Sequence, residues 1–360
     1  MTRVLISSCT GVGNMILKTP FIKSLQKNFD NPSIDMVVGF RDKAENIFQN
    51  ETFINEKINL YKKKKFYEIL QFVLLIRRKK YDYIFLPFDD ELGELTKIFI
   101  GFLSRSILVT HYFAPTFRHP RALLSFIILT LLPKVKLVPF AAGRHEIDLN
   151  IDLLQSIKSY SIKADRETNI EFDNNEHILK RFDLKKDQYI IFQLSARSGM
   201  PTPKKWPLKN FIKLFDKIKK SHPDLIIVTI GNQADFDAEI SEFIKFRSDI
   251  VNTAGHTSIL EAATLLANAA VSIVHDSGVM HIANAVSAKI IALLGPTDIS
   301  RTGPSKKNTT VLISNNDSTN AMFNFEMGEE AVLKKFGEDY CMASILPDSV
   351  YDAVLSNLKI

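Results

Sequence analysis

The sequence predicts an α/β protein made of two doubly wound halves. Three observations lead there. Short, nearly continuous apolar runs such as Val4–Ser7, Ile34–Gly39 and Ile290–Leu294 suit strands of a parallel sheet buried on both faces. Longer stretches with apolar residues at helical spacing, such as 66–78 and 208–220, separate these runs. The alternation breaks off near 163–188, where polar residues dominate, and resumes at Tyr189.

The elements follow in order. After Val4–Ser7 comes the turn Cys9–Asn14, then a helix over Met15–Asn28 with Pro20 in its first turns. Strand 34–39, helix 66–78, strand 83–87, helix 92–103 and strand 107–110 continue the series. The longest apolar run, Ala122–Leu132, would span roughly 17 Å as a helix, against ~30 Å for a hydrocarbon core, so it does not cross a membrane. A helix over 145–160 leaves this half, and Asn169–Phe172 reads as a short strand in the linker. The second half then reads strand 189–194, loop 195–207, helix 208–220, strand 225–230, helices 234–246 and 257–268, strand 271–274, helix 279–287 and strand 290–294. Ser349–Leu358 suits a final helix.

Composition narrows the class. Hydrophobic residues make up 46% and charged residues 24%, as in an ordinary globular protein. The two cysteines, Cys9 and Cys341, have no metal-type spacing, and the first residues show no secretory pattern, so we expect a cytoplasmic chain without a metal. The net charge of +6 is unevenly spread: residues 1–150 carry 22 Lys and Arg against 14 Asp and Glu, whereas 151–360 carry 24 against 26. Tyr61–Lys80 holds eight basic residues and one acid, Glu68, on an amphipathic helical pattern. With Arg118, His119 and Arg121 ahead of the apolar run, it points to peripheral contact with an anionic membrane, while core packing with solvated lysines at the helix ends is the plain alternative. No nucleic-acid recognition motif accompanies the charge.

The chemistry concentrates in turns that follow strands. In Val274–Pro304 a strand leads through Asp276-Ser277-Gly278 into a helix carrying Val279 and His281, then through a strand into Gly295-Pro296-Thr297-Asp298. Small-residue turns of this kind leave backbone N–H groups free at the positive end of a helix dipole, which suits phosphate, and two such turns suit a diphosphate. The loop Ser195–Pro207 offers Ser195, Ser198 and Thr202 hydroxyls and the Arg197, Lys204 and Lys205 cations, with the single tryptophan, Trp206, as its anchor. Asp235 and Asp237 follow a strand and are candidates for ribose hydroxyls or for helix capping. Thr10, Gly11 and Gly13 form a second turn, where Gly-x-Gly lacks the third glycine of a dinucleotide site because Ile16 stands there.

Together these segments resemble glycosyltransferase family 9, the group of ADP-heptose:lipopolysaccharide heptosyltransferases. Leu17-Lys18-Thr19-Pro20, Tyr81-Asp82-Tyr83-Ile84-Phe85, His145-Glu146, Lys204-Lys205-Trp206-Pro207, Thr257-Ser258, Asp276–His281 and Gly295–Asp298 carry the resemblance in order. It implies a GT-B architecture, two Rossmann-like domains facing across a cleft: an acceptor-binding domain over 1–165, a nucleotide-sugar domain over 166–345 and a C-terminal helix over 346–360 free to pack back on the N-terminal domain. It implies inverting, metal-independent heptose transfer from ADP-heptose to a glycolipid acceptor, the lipopolysaccharide core, at the inner face of the cytoplasmic membrane, with no cofactor. Lys204 would then contact the diphosphate, Ser277 and Gly278 would offer it hydrogen bonds, and Asp276 would orient Lys204 or the sugar.

One position departs from the pattern. The family places an aspartate, the proposed general base, where this chain has Asn14. A carboxamide does not accept a proton at neutral pH. Another group could serve in its place, with Asp89, Asp90, Glu91 and Glu94 near the end of strand 83–87 as the nearest acids. The departure also leaves open a slow enzyme, a silent nucleotide-sugar or glycolipid binder, or a GT-B sugar-nucleotide epimerase.

Overall fold

The computed structural model describes residues 1–8, 10–39, 44–59, 66–89, 92–113, 120–158, 161–162, 164–174, 176–196, 201–323 and 327–358. The chain divides into two units, Met1–Arg166 and Glu167–Ile360.

In the first unit β1 (Arg3–Ser7), β2 (Ser33–Val38), β3 (Ile54–Asn59), β4 (Tyr83–Leu86), β5 (Ile107–Tyr112) and β6 (Val135–Pro139) form one parallel sheet, ordered β3-β2-β1-β4-β5-β6. Val4 pairs with Ile34 on one side and Tyr83 on the other. Helices α1 (Val12–Leu17), α2 (Thr19–Asn28) and α6 (Glu146–Gln155) pack as one group. Helices α3 (Phe66–Lys79), α4 (Glu94–Leu103) and α5 (Pro120–Thr130) pack as another. Ile69, Val73 and Ile76 of α3 and Ile100 of α4 bury against Leu5, Ile84 and Leu108 of the sheet.

The second unit repeats the plan. Strands β7 (Tyr189–Phe192), β8 (Ile226–Thr229), β9 (Ile250–Asn252), β10 (Val271–His275), β11 (Ile290–Leu294) and β12 (Thr309–Ile313) are ordered β12-β11-β10-β7-β8-β9. Counted from its own first strand, this is the order of the first unit read from the opposite edge. The helices are α7 (His177–Arg181), α8 (Leu208–Ser221), α9 (Ala238–Lys245), α10 (Ile259–Asn268), α11 (Gly278–Ala285), α12 (Ile299–Thr302), α13 (Glu329–Phe336) and α14 (Pro347–Leu358). A capping box starts α10: Ser258 Oγ accepts the Glu261 N–H, and the Glu261 carboxylate accepts the Ser258 N–H. The C-terminal segment is α14, whose Val350, Ala353 and Val354 join Trp206 and Phe211 in the core of this unit. Among the described residues no helix is long and apolar enough to cross a membrane.

In both sheets the strand order reverses direction at one place, between β1 and β4 and between β7 and β10. Loops leaving those strands part to opposite sides and open a crevice at the carboxyl edge, where ligands bind in open α/β sheets.

Several expected elements differ. The single helix over 15–28 is two helices meeting at Lys18, because Pro20 in the first turn of α2 has no N–H to continue the preceding ladder. The helix over 234–246 is a 3₁₀ turn, Gln233–Asp235, followed by α9, which Asp237 caps. Residues 169–172 form no strand. Strands β3, β6, β9 and β12 and helices α7, α12 and α13 were not anticipated, and those four strands are the four sheet edges.

Candidate functional site

The second unit gathers most of the expected residues at its crevice. Gln193, just past the end of β7, ties the two sides together. Its Oε1 accepts the His275 backbone N–H at 3.1 Å, and its Nε2 donates to Ser277 Oγ at 2.9 Å and to the Ser195 carbonyl at 2.8 Å. Ser277 is the N-cap residue of α11, yet its side chain makes no capping bond. Ser277 therefore leaves the first N–H groups of α11, from Gly278 and Val279 onward, without a cap from its own side chain, and the dipole concentrates positive potential there.

Lys204 approaches from the loop after β7. Its Nζ lies 3.6 Å from Asp276 Oδ2 and 3.4 Å from Glu329 Oε1 at the start of α13. The side chain is 21% exposed and the Asp276 side chain 8%, so the ammonium sits at the mouth of the crevice over a nearly buried carboxylate. The loop is held from below by Trp206, which is fully buried: its Nε1 donates to the Ile345 carbonyl at 2.9 Å and its backbone N–H donates to His275 Nε2 at 2.9 Å. Burial pulls the His275 pKa down to about 3, with the Lys205 charge adding to the effect. The ring is neutral at physiological pH and can accept the Trp206 N–H.

The other expected residues divide. Lys205 is engaged by Asp237 at 2.7 Å, and Asp237 also caps α9 through the Ile240 N–H, so this aspartate serves capping. Burial opposes its charge, but Lys205 and the capping N–H groups outweigh it and hold the carboxyl below its ordinary range. Ser195 and His281 are buried, His281 on α11. Thr297, just past β11, is buried with its Oγ1 unpartnered among the described residues. The neighbouring Gly295 is required by packing, because a Cβ there would lie 2.8 Å from the Cys341 carbonyl. Asp235 falls in the 3₁₀ turn, its side chain outside the described residues, as are Arg197 and Ser198 altogether.

In the first unit Thr10 is buried and Gly11 precedes α1 with φ −73°, a value open to any residue. A Cβ on Gly11 would meet no heavy atom within 4 Å, so neither backbone nor packing calls for glycine there. Gly13 is buried within α1. Asn14 Nδ2 donates to Asp89 Oδ2 at 3.2 Å, and Lys18 Nζ, one turn further along, donates to the same oxygen at 2.5 Å. His111, at the end of β5, donates from Nε2 to the Leu149 carbonyl at 3.0 Å. Its burial lowers its pKa to about 4, so the ring is neutral and Nδ1 is an acceptor without a partner among the described residues. No group of three His, Cys, Asp or Glu that could hold a metal occurs among the described residues.

Sequence reasoning missed Gln193, His275 and Glu329. The first two could have been found by position, since each stands at the carboxyl end of a central strand. Glu329 carries no such signal.

Residues 123–331 match the family model "Glycosyltransferase family 9 (heptosyltransferase)". The chain belongs to glycosyltransferase family 9. It is thus an enzyme of glycosyl transfer and a member of the heptosyltransferase family. Lipopolysaccharide heptosyltransferase 3 of Escherichia coli K12 is 24% identical over 295 residues, 79% of this chain and 80% of that protein. The crystal structure of a family 9 glycosyl transferase from Veillonella parvula covers 99% of this chain and 97% of its own, with TM-score 0.74 and 19% identity. The E. coli ADP-heptose lps heptosyltransferase II covers 100% and 99%, with TM-score 0.71 and 16% identity. The family 9 fold thus extends over both units, including the first 122 residues that lie outside the matched segment.

Proposed function

We propose that this family 9 enzyme transfers heptose from ADP-heptose to the core of a lipopolysaccharide, with the second unit binding the donor and the first the acceptor. The observation that carries the donor assignment is Lys204 beside the uncapped start of α11, at the point where the strand order reverses. In the reaction an acceptor hydroxyl oxygen bonds to the anomeric carbon on the face opposite the diphosphate. The carbon–oxygen bond to the β-phosphate breaks, and its electron pair leaves with ADP. Lys204 and the α11 N–H groups stabilise the growing negative charge on the departing diphosphate without a metal ion. Asp276 and Glu329 hold the Lys204 ammonium in place. The relatives' names supply the sugar, the nucleotide and the acceptor class.

A thermal-shift panel of ADP, UDP and GDP tests the donor. ADP at about 100 times its Kd should stabilise the protein by ~2.7 kcal/mol and raise its melting temperature well above the shift given by UDP or GDP. No response to any of the three would sink the assignment.

The acceptor is lipid-anchored, and the reading extends to peripheral contact with the inner face of the cytoplasmic membrane. The outer surface of α3, α4 and α5 supports it, where Phe66, Leu74, Phe102, Leu124 and Ile127 are exposed beside Arg77 and Arg78. The basic residues 62–65 lie outside the described residues. The protein should sediment with phosphatidylglycerol-rich vesicles but not with pure phosphatidylcholine. Phe102→Asp together with Leu124→Asp should abolish that binding; unchanged sedimentation would refute the contact.

A further inference from the structure

Resting on that transferase reading, we propose that Asp89 is the catalytic carboxylate that takes the proton from the attacking acceptor hydroxyl. A hydroxyl that bonds to the anomeric carbon must lose its proton, and the Asn14 amide has no lone pair basic enough to receive it. Asp89 stands three residues past the end of β4, beside the place where the strand order reverses in the first unit. Its two oxygens are in different situations. Oδ2 accepts from both Asn14 Nδ2 and Lys18 Nζ, whereas Oδ1 is buried and accepts from nothing among the described residues. The side chain is 8% exposed and that of Lys18 is 1% exposed.

A buried carboxylate oxygen without a donor is costly, and the missing donor is what a bound hydroxyl would supply. Two further buried polar atoms without partners among the described residues, Ser8 Oγ and His111 Nδ1, lie at the carboxyl ends of β1 and β5, the strands flanking β4. Three neighbouring strands thus end in unmet hydrogen-bonding capacity at one edge, as befits a surface that recognises a polyhydroxylated ligand. The other acids and bases nearby are poorer candidates. Asp35 accepts from Tyr81 and Asn55 and pairs with Lys79, and Glu94 is spent on Lys97 and Ser125. Asp90 and Glu91 lie outside the described residues. His111 stands on β5, one strand further from the reversal between β1 and β4. Asn14 is then a positioning residue: with Lys18 it fixes the rotation of the Asp89 carboxylate, leaving Oδ1 for the substrate. On transfer the hydroxyl proton moves to Oδ1, the acceptor oxygen keeps its electron pair for the new glycosidic bond, and ADP leaves with the pair of the broken bond. The neutral carboxylic acid returns its proton to water.

The test compares wild type, Asp89→Asn and the double variant Asp89→Asn with Asn14→Asp. ADP-heptose is the donor and heptose-less lipopolysaccharide the acceptor, with ADP binding measured separately. Asp89→Asn should lower kcat by about 10²–10⁴-fold, the range for a lost general base, and leave ADP binding and the donor KM unchanged. The double variant moves the carboxylate back to position 14, within reach of Lys18 one turn away, and should regain at least tenfold of the lost kcat. A purely structural role for Asp89 would make kcat track the folded fraction across the three proteins, whereas loss of the base lowers kcat in fully folded, ADP-binding protein. Turnover of Asp89→Asn within about threefold of wild type, or a folded, ADP-binding double variant no faster than the single one, overturns the assignment. If Asp89→Asn does not fold because Lys18 is left with a buried unpaired charge, Asp89→Asn is combined with Lys18→Met, which removes that charge; kcat of this folded variant should still fall by about 10²–10⁴-fold, and kcat within about threefold of wild type overturns the assignment. Failure of wild type itself to bind ADP would strike the donor reading instead.

Discussion

Replacing Lys204 by alanine should lower kcat by about 10²–10³-fold, equivalent to ~2.7–4 kcal/mol of transition-state stabilisation. The reason lies in what the substitution leaves behind. Lys204 stands between Asp276 and Glu329, and without its ammonium two carboxylates would face the incoming diphosphate. The variant would thus lose an attraction and uncover a repulsion, so ADP affinity should fall together with turnover. Adding Glu329→Gln to Lys204→Ala removes one of the two negative charges and should recover part of the ADP affinity but little of the turnover, because no cation returns to the departing phosphate. Steady-state kinetics and ADP titrations on the three proteins measure both quantities. Turnover of Lys204→Ala within threefold of wild type would place the donor diphosphate elsewhere.

The second large effect is on stability. Trp206→Ala should cost about 3–5 kcal/mol, the range for emptying a large aromatic site in a packed core. Trp206 is fully buried, packs edge-on against Phe211 at 4.7 Å and spends its indole N–H on the Ile345 carbonyl, which the substitution would leave unpaired. For a unit of this size each kcal/mol corresponds to roughly 2–4 °C, so the melting transition should fall by about 6–20 °C. Trp206→Phe keeps much of the packing and loses the indole bond, and should cost ~1–2 kcal/mol. Both values are read from urea unfolding. A loss below 1 kcal/mol for the alanine variant would mean that the loop carrying Lys204 is anchored by other contacts.

The central strands were legible in the sequence because they are buried on both faces and read as unbroken apolar runs. Strands β3, β6, β9 and β12 were not. Each has a sheet neighbour on one side only, and INEKIN, VKLVP, IVN and TTVLI are short or interrupted by polar residues, with most of their positions partly exposed. An edge strand needs only one covered face, and short or charged edges also discourage pairing with another chain. The strand Asn169–Phe172 was expected from local pattern alone and has no sheet neighbour to make it one.

In the site, residues close in sequence to a strand end were recognisable, because the carboxyl edge of a doubly wound sheet is fixed by topology. Partnerships across the sheet were not equally so. Lys204 and Asp276 were connected through the family resemblance, whereas nothing in the chain announced that Glu329 completes their group. Asp89 was one of four acids weighed as a stand-in for the base missing at Asn14, and only the pairing of β1 with β4 shows that Asn14 donates to it. Lys205 and Asp237 looked like ligands for phosphate and ribose and turn out to hold one another.

The buried indole has a practical consequence. Trp206 is the only tryptophan in the chain and belongs to the core of the second unit. Emission excited at the red edge of protein absorption therefore reports on one half of the molecule, while far-ultraviolet circular dichroism reports on both. Following denaturation by the two signals side by side separates the melting of the two sheets without labels or truncation. The same fluorophore, two residues from Lys204, gives an optical window on the loop as nucleotide arrives.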